Sequence, residues 1–122
     1  MEIRMINPRK EPITPTSFPC LNPAKLRDLE SVFKSGDPST LDPAELVCLP
    51  DGSLVVFDGN HRLALAFEHN KEVQAAIITP GDTYNSGGSG SVISYERCVL
   101  IAKAYKRVMG QRGINGFGDY FA

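Results

Sequence analysis

The chain lacks the features that would place it at once in several large classes of protein. It has no basic excess: 13 Lys and Arg stand against 14 Asp and Glu, for a net charge of −1. Dedicated nucleic-acid binders usually carry a basic face or tail, so the total charge gives no electrostatic case for a polyanionic partner. Cysteine is scarce. Cys20, Cys48 and Cys98 are odd in number and widely spaced, which argues against a disulfide framework and predicts reduced thiols in a cytoplasmic protein. The same scatter offers no zinc-ligand spacing. No apolar run approaches the roughly 18 residues of a membrane span, and the first residues lack the apolar core of a signal peptide. No internal repeat is visible. What is present is the composition of an ordinary globular domain, 42% hydrophobic and 22% charged over 122 residues, enough for a single domain with one modest core.

Along the chain, helical and extended patterns interleave. The first twenty residues hold Pro8, Pro12, Pro15 and Pro19 and read as irregular, with one short strand around Ile3 to Ile6. Asn22-Pro23 has the form of an N-cap followed by proline at the first helical position. Leu26, Leu29 and Phe33 continue at helical spacing, and Gly36 supplies the stop. Glu45–Leu49 and Ser53–Phe57 are apolar runs joined by Pro50-Asp51-Gly52, a turn sequence, and predict a β-hairpin or two nearby strands. A helix over 59–69 ends at Asn70 in the left-handed conformation, and Val73–Thr79 is a further strand. Residues 80–91 read as a polar, glycine-rich loop: a lid over a ligand, with Tyr84 able to stack on a base, or a plain surface connection. Ser94 opens a last helix, about 94–110, whose core-facing stripe is Cys98, Ile101, Ala102, Tyr105, Val108 and Met109. The glycine-rich tail, 111–122, keeps Phe117, Tyr120 and Phe121 and is either docked or partner-binding. The class is α/β (α+β), a small mixed sheet flanked by helices in one domain over 1–122.

The chemistry concentrates in Asp58-Gly59-Asn60-His61-Arg62, between an apolar strand and a helix. A strand that turns through glycine into a helix is suited to phosphate, because the first-turn N–H groups lack intrahelical partners and lie at the positive end of the dipole. Arg62 adds a planar, permanently charged fork, or else makes a surface ion pair. His61 in that first turn is disfavoured from protonation and, as a neutral imidazole, can donate one hydrogen bond to a phosphate oxygen; the alternative is a capping or core-edge histidine. Gly59 either lets backbone approach a phosphate or relieves the strand-to-helix turn. Asp58 reads as an N-cap worth about 1 kcal/mol, or as a carboxylate holding Mg²⁺ against phosphates. Asn60 either donates to a ribose or phosphate oxygen or faces water. His69, two turns from His61, is too far to share a metal with it. Arg97, Lys103, Lys106 and Arg107 form a solvated helix face, from which Lys103 or Arg107 would reach a ligand if that helix packed beside the motif.

On these five residues the chain resembles the superfamily of ParB-like and sulfiredoxin-like domains, over roughly residues 12–79. In those families a Gly-x-x-Arg or Gly-x-His-Arg element binds nucleotide phosphates, and the chemistry ranges from sulfinic acid reduction to CTP-dependent DNA clamping to phosphoryl transfer. Asn60 stands where sulfiredoxins place their catalytic cysteine, which argues against peroxiredoxin repair. Partition proteins carry Gly-Glu-Arg-Arg and a downstream helix-turn-helix, and neither feature is found here. The wording is nearest the Asp-Gly-His-His-Arg element of the free serine kinases. The glutamate those enzymes use near the first helix has no counterpart in Phe18-Pro19-Cys20-Leu21-Asn22, so the base is left open among Glu45, Asp42 and Glu11.

The resemblance therefore implies a small nucleotide-dependent enzyme of phosphoryl transfer or hydrolysis. Asp58 and His61 are its candidate catalytic residues, and Gly59, Asn60, His61 and Arg62 its phosphate and nucleotide ligands. Asp58 is its Mg²⁺ ligand, ATP, ADP or CTP its nucleotide, and a small molecule its acceptor. The alternative is a ParB-like DNA-associated module, a nucleotide sensor or nuclease, that uses its aromatic tail for docking or self-association.

Overall fold

A computed structural model describes residues 1–16, 23–85 and 91–120. Their strands are the runs that the sequence marks by β-branched and apolar residues bounded by turn formers: β1 (Glu2–Ile6), β2 (Ile13–Thr14), β3 (Ala44–Cys48), β4 (Leu54–Asp58) and β5 (Val73–Ile78). They form one mixed sheet in the order β1-β5-β3-β4-β2. β3 and β4 pair antiparallel across Pro50-Asp51-Gly52, the hairpin of the two arrangements expected; β3 runs parallel to β5, and β1 closes one edge antiparallel to β5. The mixed α/β class is as expected.

Two helices cover one face of the sheet and one covers the other. α1 (Pro23–Ser35) and α2 (Asn60–His69) pack on each other, and α3 (Tyr95–Gln111) lies over β3 and β4. The first core joins Leu46, Leu54, Val56, Ala75 and Ile77 of the sheet to Phe33 of α1 and Leu63 to Ala66 of α2. The second joins Val47, Val55 and Ile78 to Tyr95, Cys98, Val99 and Ala102 of α3. The period of two along each strand thus feeds two cores. Pro23 opens α1 as expected; Asn22, its expected cap, lies outside the described residues.

The helix ends follow their capping chemistry. Asn70 adopts φ 52°, ψ 52° after α2, and Lys71 N–H reaches back to the Ala66 carbonyl at 2.9 Å, a Schellman closure with asparagine in glycine's usual place. Ser94 caps α3, accepting from the Arg97 N–H. The tail is docked. Phe117 is buried in the first core, within a 3₁₀ turn over Phe117–Tyr120 and edge-on to Tyr120 at 5.3 Å; Phe121 lies outside the described residues.

Two expectations need correction. The segment read as a loop over 80–91 contains β6 (Thr83–Asn85), which pairs antiparallel with β7 (Val92–Ser94) in a second sheet; residues 86–90 are outside the described set. The stripe on α3 is buried only in part: Cys98, Ala102 and Met109 are in the interior, whereas Tyr105 and Val108 are exposed. A helix of 17 residues is about 25 Å long and a strand of five about 17 Å. α3 therefore outruns the sheet beneath it. Cys48 and Cys98 are free thiols, and Cys20 is not among the described residues. No described helix is long and apolar enough to cross a membrane.

Candidate functional site

The motif sits where β4 leaves the sheet. Pairing slips between Glu45↔Asp58 and Leu46↔Val56, so β4 carries an extra residue at Phe57. Such a bulge sharpens the local bend and re-aims the residues after it. Gly59 then takes φ 104°, ψ 24°. A Cβ there would stand 2.8 Å from the Ala44 Cβ and 3.1 Å from the Ala44 Cα. The turn thus demands glycine twice, for backbone conformation and for room against β3.

Asp58 does not cap α2. The N-cap is Gly59, and no side chain caps the helix; Asp58 is still the last residue of the strand. Its carboxylate meets Arg62 Nη2 instead, at 3.4 Å, with 64% of the Asp58 side chain exposed and 17% of the Arg62 side chain. Arg62 Nη1 donates to the Asp42 carbonyl at 2.9 Å. The guanidinium is thereby held across the end of the sheet, between β4 and the segment entering β3.

Two clefts open on either side of this pair. The first, about 440 Å³, is lined by Lys25, Asp28 and Leu29 of α1 and by Asp58, Gly59, Asn60, His61 and Arg62. All five motif residues therefore face one cavity, at the N-terminus of α2. His61 is held below its ordinary pKa, first by burial and then by the charge of Lys25, with Asp58 pulling the other way. Its imidazole is thus neutral near pH 7. Asn60 lines the same cleft, and its side chain does not merely face water. Its Oδ1 accepts from the Thr16 N–H at 2.9 Å, and its Nδ2 donates to the Thr16 hydroxyl at 3.1 Å. It ties the segment after β2 to the start of α2.

The second cleft, about 510 Å³, lies on the α3 side of the sheet and shares Asp58 and Arg62; Asp42, Glu45 and Tyr84 line it. Two of the three candidate bases are therefore beside Arg62. The third is not: Glu11 is engaged bidentately by Arg4, at 2.5 and 2.9 Å, and lines neither cleft. Tyr84 packs edge-on to Phe57 at 5.2 Å. Burial, then the charge of Glu45 and a hydrogen bond to it, push the Tyr84 phenol up to about 12. It is a fixed neutral donor more than a free stacking platform. Lys103 and Arg107 line neither cleft; between them on α3, Lys106 donates to Ser53, just before β4. His69 stacks on Phe33, away from the motif.

Lys25 and Asp28 were missed by the sequence reading. They stand at i and i+3 on α1, with Leu29 at i+4, which puts them on one helix face. That spacing was readable, but the helix against which the face packs was not. Asp28 also bears on the metal. Mg²⁺ commonly takes one or two protein carboxylates and fills its shell with water and phosphate. Asp58 and Asp28 are two carboxylates on one cleft, and among the described residues no three His, Cys, Asp or Glu side chains gather as a metal-holding group. No family model matches the chain, and no curated protein or solved structure matches it.

Proposed function

We propose that this chain is a ParB/sulfiredoxin-like domain that binds nucleotide phosphates at the N-terminus of α2 and transfers or hydrolyses the terminal phosphoryl group. The observation that carries the reading is the convergence of Lys25, His61, Arg62 and an uncapped helix start on one cleft. Lys25 and Arg62 supply charge, and the dipole of α2 adds to it. Gly59 presents bare backbone, and the neutral His61 donates without adding a charge that burial would oppose. Mg²⁺ held by Asp58 and Asp28 would neutralise phosphate charge when bound. Transition-state stabilisation of this kind is mostly electrostatic and positional.

Arg62 also joins the two clefts. An acceptor hydroxyl or water on the Glu45 side attacks the terminal phosphorus, its proton passes to Glu45 or Asp42, and the nucleoside diphosphate leaves toward α1. The acceptor is a small molecule or water.

A thermal-shift panel of ATP, ADP, CTP, GTP and inorganic phosphate, each with and without Mg²⁺, tests the binding half. A ligand at a hundredfold its Kd adds about 2.7 kcal/mol of stability. One nucleotide should stabilise the protein selectively, and Arg62→Ala should abolish most of that shift. Equal binding by Arg62→Ala would sink the reading. Turnover of the selected nucleotide, lost in Glu45→Gln or Asp42→Asn with binding retained, tests the catalytic half.

A further inference from the structure

The two edges of the main sheet are built differently. β2 is two residues long, buried, and flanked by Pro12 and Pro15. A short edge bounded by residues without N–H groups is protected against pairing with another strand. β1 has none of these devices. It is five residues long, Glu2-Ile3-Arg4-Met5-Ile6, without proline, and among the described residues no strand pairs with its outer side.

β1 also presents two distinct faces. Ile3 is opposite Ala76 and Met5 opposite Gln74, which puts both on the α3 side of the sheet, where α3 covers β3 and β4 but leaves this edge bare. Ile3 is 58% exposed, Met1 52% and Met5 38%. On the other face Arg4 Nε donates to Glu2 at 3.1 Å. This edge is a row of three exposed apolar side chains backed by one acid and one base.

We infer that β1 pairs with β1 of a second copy, antiparallel and about a two-fold axis through Ile3, to join the two sheets edge to edge. The charges choose the register. Residues opposite each other across a two-fold must point to the same face, so the position numbers of a pair must sum to an even number. A pairing that sets Arg4 opposite Arg4 of the second copy, or Glu2 opposite its Glu2, places like charges directly across, which is destabilising. The register centred on Ile3 instead sets each Glu2 opposite an Arg4 and brings the apolar rows side by side. Arg4 gives one N–H each from Nε, Nη1 and Nη2 to Glu2 and Glu11. Its two remaining N–H groups are open to Glu2 of the second copy. A second copy fits this edge by both hydrophobicity and charge.

The test is sedimentation velocity on the full chain from micromolar to millimolar concentration, together with cysteine cross-linking. Wild type should move from monomer to dimer, and Glu2→Lys, which sets a lysine against Arg4 of the second copy, should weaken that dimer at least tenfold. Ile3→Cys should give a covalent dimer under mild oxidation, because directly opposed residues on paired strands lie within disulfide reach. Met5→Cys, opposite Met1 in this register, should not, and wild type controls for Cys20, Cys48 and Cys98. Wild type that stays monomeric throughout, or equal cross-linking at positions 3 and 5, overturns the inference.

Discussion

At Gly59 a backbone angle and a close contact constrain the same atom. Alanine there would sit at φ 104° with its Cβ 2.8 Å from that of Ala44. Left-handed backbone costs a non-glycine residue about 1–2 kcal/mol, and overpacking a tight contact about 1–3 kcal/mol. Gly59→Ala should therefore lower stability by about 2–5 kcal/mol, a fall in Tm of roughly 10 °C or more. Ala44→Gly in the same background should recover the steric part and leave the backbone part. Denaturant melts of the two single variants and the double variant give the coupling, and strict additivity would show that the contact is not the cause. His61 offers a second measurement at this scale. Its pKa, followed by NMR, should lie below 6.5, rise in Lys25→Met and fall in Asp58→Asn. No response to Lys25→Met would remove α1 from the site's electrostatics. The sequence pointed to all five residues of this turn, because glycine, histidine and arginine at a strand-to-helix junction are legible one at a time. It did not give their partners. Asp58 pairs with Arg62 instead of capping, and Asn60 binds Thr16, 44 positions away; contacts of that range leave no local pattern.

Among elements, legibility tracked length and periodicity. β3, β4, β5, α2 and α3 each declare themselves through a run of apolar residues and a turn or cap, and the structure has them within a residue or two. β6 and β7 are three residues each, too short to show a period, and they flank a glycine-rich stretch that reads as loop. What holds them is tertiary: Phe57, Tyr84 and Ile93 pack against the second core. The α1–α2 contact shows one local conflict. His69 stacks on Phe33 at 5.9 Å and 25°, and its buried Nε2 has no hydrogen-bond partner. An unsatisfied buried polar atom costs about 1–3 kcal/mol. His69→Phe keeps the stacked ring and removes the orphaned nitrogen, so it should raise stability by about 1 kcal/mol and leave nucleotide binding unchanged. A lower Tm for His69→Phe would mean that the imidazole contributes something the ring contact does not.

For the molecule as a whole, the perturbed groups act in concert with pH. Arg4 holds Glu11 below its ordinary value, and hydrogen bonds from Ser39 and Ser53 do the same for Asp37 and Asp51. Asp82 is lowered to about 2, first by the hydrogen bond from the Met1 ammonium and then by the backbone N–H and hydroxyl of Thr79. A carboxylate with a depressed folded pKa adds stability above its unfolded value, and that stability is lost as pH falls through the folded one. For Asp82 the window runs from 3.8 down to about 2. The neutral state favoured by His61 acts in the same direction below 6.5. On the alkaline side the sign reverses: Tyr84 ionises at 10.0 when unfolded but at about 12 when folded, so the stability it adds is lost as pH rises through that interval. Stability should therefore fall gently below about pH 6.5 as His61 takes up a proton, more steeply below about pH 4, and again above about pH 10. Urea melts across pH should show a shallower acid limb in Asp82→Asn, with the alkaline limb unchanged. Tyr84→Phe should make the alkaline limb shallower and leave the acid limb unchanged, with Tyr95 and Cys98, whose values burial also raises, keeping the rest of that limb. If both limbs moved in either variant, the substitution would have altered the fold and not one titration. If neither moved, these groups would not be the ones that set the two limbs.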